Sequence, residues 1–123
     1  MTTMLSIIES KLHPDFSDLY NELKIDNLYF NSMRKAIAKL KTHQPNYIVA
    51  EFFYGYGNNY AGVNISNLDV LLYTLQKYSP DTRVVVMVDK SEYQYVDDLN
   101  KIIPLHSVLI HPVSATQMRA LLS

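Results

Sequence analysis

Five polar side chains stand where an apolar run gives out. Glu9 and Ser10 follow Leu5-Ser6-Ile7-Ile8, and Glu51 closes the run that starts at Pro45-Asn46-Tyr47. Asp89 follows Val84-Val85-Val86-Met87-Val88, and His111 follows Val108-Leu109-Ile110. Two carboxylates brought together, such as Glu9 and Glu51, can hold Mg²⁺ weakly or share one proton. A histidine beside them can pair with a carboxylate or move protons. The plainer use of the same groups is favoured here. The carboxylates would bond to helix-terminal amides, tyrosine hydroxyls or water, His111 beside Pro112 would be structural, and Asp89 with Lys90 would cap or bridge locally.

Other chemistries are excluded more directly. The chain has no cysteine, so disulfides, thiolate catalysis and a cysteine zinc site are ruled out. His13, His43 and His106 are scattered without metal-ligand spacing. Ser10, Ser91 and Ser114 lack a Gly-x-Ser-x-Gly elbow and read as helix caps. The net charge of -1 gives no basic field for nucleic acid. No window approaches a membrane span, and the stretch from Met1 to Glu9 lacks the basic and apolar regions of a leader. A cytoplasmic location is the expectation, with neither membrane nor nucleic acid as partner.

These residues need elements that bring strand ends together. The run from Tyr47 to Phe53 is a strand buried on both faces, and Arg83 to Val88 is the most strand-like segment of the chain. Leu5 to Ile8, Asn27 to Phe30 and Val108 to Ile110 are shorter strands, the second at a sheet edge. Helices separate them. The first starts at His13-Pro14-Asp15 and buries Phe16, Leu19, Tyr20 and Leu23. The second follows a cap at Asn31 or Ser32, and its cations Arg34, Lys35, Lys39 and Lys41 read as a solvated face. The third is capped by Ser66 or Asn67. Ser91 with Gln94 starts the fourth, which carries Tyr95, Leu99, Ile102 and Ile103, and Ser114 with Gln117 starts the last. Strands alternating with helices five times imply crossover units and a parallel sheet with helices on both faces. In such a sheet, ligands and chemistry collect at the carboxyl ends of the strands. The sequence from 1 to 123 is one domain.

All three glycines and several of the ten tyrosines fall in the loop Tyr54-Gly55-Tyr56-Gly57-Asn58-Asn59-Tyr60-Ala61-Gly62-Val63-Asn64. The glycine spacing matches neither a phosphate-binding loop nor a dinucleotide fingerprint. The tyrosines either form a contact surface or pack back over the strand ends.

Pro45-Asn46-Tyr47-Ile48-Val49-Ala50-Glu51 resembles the third strand of the CheY-like receiver domain of two-component signalling, with Glu51 at the place of the phosphate-accepting aspartate. Ser79-Pro80-Asp81-Thr82-Arg83-Val84-Val85-Val86-Met87-Val88 resembles the fourth strand and its approach, with Val88 where a threonine or serine stands. Val108-Leu109-Ile110-His111-Pro112-Val113-Ser114 resembles the strand ending in Lys-Pro, with His111 for the lysine. Glu9-Ser10 takes the position of the acidic pair. The resemblance implies a flavodoxin-like, doubly wound α/β fold with a five-stranded parallel sheet in the order 2-1-3-4-5.

By this resemblance the phosphoacceptor pocket is degenerate. Receiver chemistry resembles a compact phosphoryl transfer: a carboxylate attacks phosphorus, acidic residues hold Mg²⁺, and a hydroxyl and an ammonium take up the remaining charge. Glu51 is one methylene longer than aspartate, a misplacement that costs in-line transfer on the order of a hundredfold. Ser10 brings no charge to a metal, Val88 cannot hydrogen-bond a phosphoryl group, and His111 is shorter than lysine. The resemblance therefore implies a non-catalytic pseudo-receiver with no cofactor beyond weakly held Mg²⁺ at Glu9 and Glu51. In it, Glu51 could mimic a phosphorylated aspartate. The module would bind a protein, a sensor kinase or another regulator, or pair with itself. The implied partner face holds Tyr93, Tyr95, Asp98, Ser107, Met118 and Arg119. With no effector domain expected, output passes through that partner. Two readings compete: a single-domain response regulator still phosphorylated at an atypical site, and a small enzyme or ligand-binding protein using the same strand ends.

Overall fold

A computed structural model describes residues 2–8, 15–54 and 66–122. Five strands form one parallel sheet: β1 (Thr2–Ile7), β2 (Ile25–Phe30), β3 (Tyr47–Glu51), β4 (Arg83–Val88) and β5 (Ser107–Ile110). Their spatial order is β2-β1-β3-β4-β5, the winding expected from the alternation of strands and helices. Five helices connect and follow them: α1 (Ser17–Glu22), α2 (Met33–Leu40), α3 (Asp69–Tyr78), α4 (Tyr93–Val96) and α5 (Ala115–Leu122).

Side chains alternate across the pleat, so each strand feeds two cores. Leu5, Ile7, Ile48, Ala50, Phe52, Val84, Val86 and Val88 pack with Ala36 and Leu40 of α2, Leu71, Leu72 and Leu75 of α3, and Val96 of α4. Met4, Ile8, Tyr47, Val49, Val85 and Met87 pack with Leu19 and Tyr20 of α1 and Met118 and Leu122 of α5. Every residue of β3 is buried, whereas the outer strands β2 and β5 are buried only in part. Each fully buried Leu, Ile or Val stabilises the fold by about 1.5–3 kcal/mol, so the two central strands anchor the molecule.

Several boundaries differ from the sequence reading. β1 begins at Thr2 rather than Leu5, because Thr3 is held from β3's approach: its N–H donates to Asn46 Oδ1 at 2.9 Å. β2 begins at Ile25, two residues before Asn27. Asp15 lies outside α1. Its carboxylate accepts the Ser17 N–H at 2.9 Å and closes a turn before the helix starts. His13 and Pro14 lie outside the described residues. Ser32 caps α2 as expected, accepting from Lys35 N–H. The fourth helix is not continuous: a 3₁₀ turn over Lys90–Glu92 leads into the single α turn of α4, and a second 3₁₀ segment covers Asp97–Lys101. Asp89, rather than Ser91, caps this region, with its carboxylate accepting from the Ser91 N–H at 3.0 Å. At α5 the capping box forms as read, with Gln117 N–H donating to Ser114 Oγ and Ser114 N–H to Gln117 Oε1.

A polar thread crosses the outer pair of strands. Ser6 Oγ donates to Asn27 Oδ1 at 2.6 Å. Tyr20 of α1 is buried nearby, and burial pushes its hydroxyl up to about 12, with Ser6 pulling the other way. Among the described residues no helix is long and apolar enough to cross a membrane.

Candidate functional site

The carboxyl ends of β3, β4 and β5 lie side by side. Glu51 is in register with Met87, and Val88 with Ile110. Just past these pairs the ladder continues: Phe52 N–H donates to the Met87 carbonyl at 2.8 Å, and His111 N–H to the Val88 carbonyl at 3.0 Å. The main chains of Glu51, Val88 and His111 thus lie at one edge of the sheet, but the Val88 side chain turns to the face opposite Glu51. Glu9 and Ser10 lie outside the described residues, although β1's ladder runs on to Ile8, whose N–H donates to the Phe30 carbonyl.

The three side chains have different surroundings. Glu51 is only 2% exposed. Alternation along β3 puts it on the α1/α5 face with Tyr47 and Val49. Val88 is fully buried on the other face, in the core that also holds Ala50, Phe52 and Leu68. His111 is half-buried. Asp89 is exposed, and hydrogen bonds from Ser91 hold its carboxyl below the usual carboxylate range, with His111 adding to the effect. This edge offers a carboxylate at Glu51 and an imidazole at His111, while Val88 turns away to the opposite face. Among the described residues no three His, Asp or Glu side chains gather to hold a metal ion. A divalent-cation site at Glu51 would have to be completed from outside them.

Sequence reading missed the residues that fix this edge. Asn67, expected only as a helix cap, is 92% buried by its 8% exposure and ties down the exit of β3. Its Nδ2 donates to the Glu51 carbonyl at 2.9 Å, and its Oδ1 accepts from Phe53 N–H at 2.7 Å. Neither Ser66 nor Asn67 caps α3, whose N-cap is Leu68 with no side-chain bond; Ser66 closes the turn before it, its Oγ accepting from Leu68 N–H and its own N–H donating to Asp69 Oδ1 at 2.8 Å. Tyr54 stacks on Tyr95 with ring centroids 3.7 Å apart and planes 15° from parallel. Its N–H donates to Glu92 Oε1 at 3.2 Å. The segment leaving β3 is therefore joined to α4. The signal for Asn67 was present only as an Asn before a helix, which has many uses. The rest of the tyrosine and glycine loop, 55–65, lies outside the described residues.

Only some of the residues expected on a partner face are open to a partner. Tyr93 is 50% exposed. Tyr95 is half-buried and engaged with Tyr54. Asp98 is half-buried and bridges Lys101 at 3.4 Å, and Ser107 is half-buried on the edge strand β5. Two expectations are corrected. Met118 is fully buried against the sheet and offers nothing to a partner. Arg119 pairs with Glu22 of α1, so it points away from α4. Helix periodicity explains both: α5 uses Met118 as its core contact, which turns Arg119 toward the neighbouring helix.

Two cavities open at the opposite, amino-terminal end of the sheet. One of about 410 Å³ is lined by Asn46, Tyr47, Asp81, Thr82 and Arg83. The other, of about 380 Å³, lies between β1, β2 and the end of α2.

No family model and no curated protein matches this sequence. Solved structures do. A response regulator receiver domain protein from Clostridium thermocellum superposes with a TM-score of 0.74 at 14% identity, covering 99% of this chain and 91% of that one. A response regulator from Burkholderia pseudomallei, solved with a phosphorylated aspartic acid, a calcium ion and citrate, gives 0.69 at 17% identity over 100% of this chain and 67% of that one. An adenylate cyclase from Rhodopirellula baltica gives 0.68 at 12% identity over 98% and 83%. Identities this low establish shape alone: the chain has the CheY-like fold of response-regulator receiver domains.

Proposed function

We propose that this chain is a pseudo-receiver: a signalling or regulatory module that acts by binding another protein and no longer transfers phosphoryl groups. The observation that carries the reading is the seat of Glu51. Val88, the residue matched to the receiver hydroxyl, turns its fully buried side chain to the opposite face of the sheet and so offers a phosphoryl group at Glu51 no donor. Glu51 itself is 2% exposed, which shuts it off from a phosphodonor in solution, and is one methylene longer than aspartate, a misplacement to which in-line transfer is sensitive. The Glu51 carboxyl group stands at the acceptor position as a stand-in for a phosphorylated aspartate, so the signalling state does not wait on phosphorylation. Tyr93 and Asp98 at the α4 end and Ser107 on β5 are the remaining surface through which a kinase, another regulator or a second copy would read it.

Incubation with Mg²⁺ and acetyl phosphate, read by intact mass, tests the loss of chemistry. The mass stays unchanged. A phosphoryl adduct mapped to Glu51 would overturn the proposal in favour of a working regulator with an altered site.

A further inference from the structure

The sequence from Asn27 to Ala50 contains no aspartate or glutamate but four cations, Arg34, Lys35, Lys39 and Lys41, in a chain whose net charge is -1. The fold puts all four on or just after α2. Among the described residues none of them is in an ion pair. Lys39 and Lys41 near the end of α2 favour the helix dipole, but Arg34 and Lys35 sit in its first turns, where cations are unfavourable. Local stability does not account for that placement.

Beside α2 runs the outer strand β2, which among the described residues pairs only with β1. The Phe30 carbonyl faces β1, since it accepts from Ile8 N–H. A strand residue directs its N–H and C=O to the same side and the side alternates, so Ile25, Asn27 and Tyr29 turn theirs outward. This leaves a row of main-chain donors and acceptors on the open edge. Leu28 and Tyr29 are 37% and 61% exposed there. Below them lies the cavity of about 380 Å³, lined by Leu5, Asp26, Leu28, Lys39, His43 and Pro45.

We propose that the β2 edge and α2 together dock an acidic, extended peptide segment of a partner protein. The peptide adds as a strand along β2, places an apolar side chain in the cavity, and directs carboxylates toward Lys35 and Lys39. Strand addition supplies affinity through main-chain bonds, and the side-chain pockets and charges supply selectivity. Charge decides against a second copy of this chain. An antiparallel β2–β2 pairing would bring two α2 helices together on one face, with their cations opposed. Asp26 at the start of β2 repels a carboxylate there and so fixes the acids farther along. This surface is independent of the phosphoryl pocket, and its failure would leave the reading of Glu51 and Val88 untouched.

The probe is a fluorescein-labelled ten-residue peptide of alternating glutamate and valine, with a lysine-valine peptide as control. Anisotropy and backbone amide shifts are read on the intact chain. The acidic peptide binds and shifts amides between residues 25 and 43, and the basic one does not bind. K35E combined with K39E weakens binding by at least about tenfold, as expected for lost interfacial charge pairs. Y29P, which removes one outward N–H at an edge position that tolerates proline, weakens it independently, with thermal melting as the check on folding. Equal binding of both peptides, shifts confined to other elements, tighter binding of a single-stranded RNA than of the acidic peptide, or dimerisation through β2 would each overturn the proposal.

Discussion

The side-chain amide of Asn67 reaches back to the main-chain carbonyl of Glu51 at 2.9 Å and, with its other end, takes the Phe53 N–H at 2.7 Å. One residue thus holds the backbone on both sides of Phe52. The direction of the chain as it leaves β3, and with it the seat of the Glu51 carboxylate, depends on a group that belongs to the approach to α3.

Replacing Asn67 with alanine strands a buried carbonyl and a part-buried amide. Leaving such groups unpaired costs about 1–3 kcal/mol each, so N67A lowers stability by roughly 2–6 kcal/mol. N67D keeps the acceptor for Phe53 but buries a carboxylate against the Glu51 carbonyl, and at neutral pH it falls at or below N67A. Urea unfolding of the three proteins gives this order.

Val88 tests which face of the edge matters. V88T puts a hydroxyl into the apolar core that holds Phe52 and Leu68, and the change costs about 1–3 kcal/mol. It does not restore phosphoryl uptake, since the new hydroxyl faces away from Glu51. Denaturant midpoints and intact mass after acetyl phosphate treatment read the two effects separately.

The Tyr54–Tyr95 stack joins the exit of β3 to α4. A double-mutant cycle on Y54A and Y95A gives a coupling of about 0.5–1.5 kcal/mol, the range for aromatic pairs. A coupling near zero would mean the rings are adjacent without supporting each other.

Tyr20 gives a pH signature. Its hydroxyl titrates near 10 when unfolded and at about 12 when folded, chiefly because burial disfavours the phenolate. Stability linked to this group is therefore fully present below pH 10 and is lost as pH rises toward 12. Two units correspond to about 2–3 kcal/mol, and Y20F removes that slope. Unfolding free energies of both proteins between pH 9 and 12 provide the comparison.

What the sequence disclosed follows from how local each signal was. The uninterrupted apolar run Val84 to Val88 could hardly be other than a central strand, and the run read from Tyr47 to Phe53 is one too, although the structure ends it at Glu51. Ser114 and Gln117 announced a capping box that forms. The same signature at Ser91 and Gln94 failed, because Asp89 two residues earlier captures the Ser91 N–H and tightens the turn to 3₁₀. That the strands carrying Glu51, Val88 and His111 end at one edge was readable from strand order, but the turn of Val88 to the opposite face follows only from the register of β3 and β4. The work of Asn67 and Glu92 was not, since each bonds a main-chain group brought near only by the tertiary fold. Arg119 was placed by counting along a family's helix, but its direction is set by Glu22, far away in sequence.

The two middle strands have no solvent face: every residue of β3 is buried, and in β4 only Arg83 is exposed. Deuterium should therefore enter the amides of Ile48 to Ala50 and Val84 to Val88 only when the whole molecule comes apart, while β2 and β5 can open and close without it. The rims of this sheet are thus free to be remodelled by whatever binds them, at no risk to the hinge-free centre that keeps Glu51 and Val88 in place.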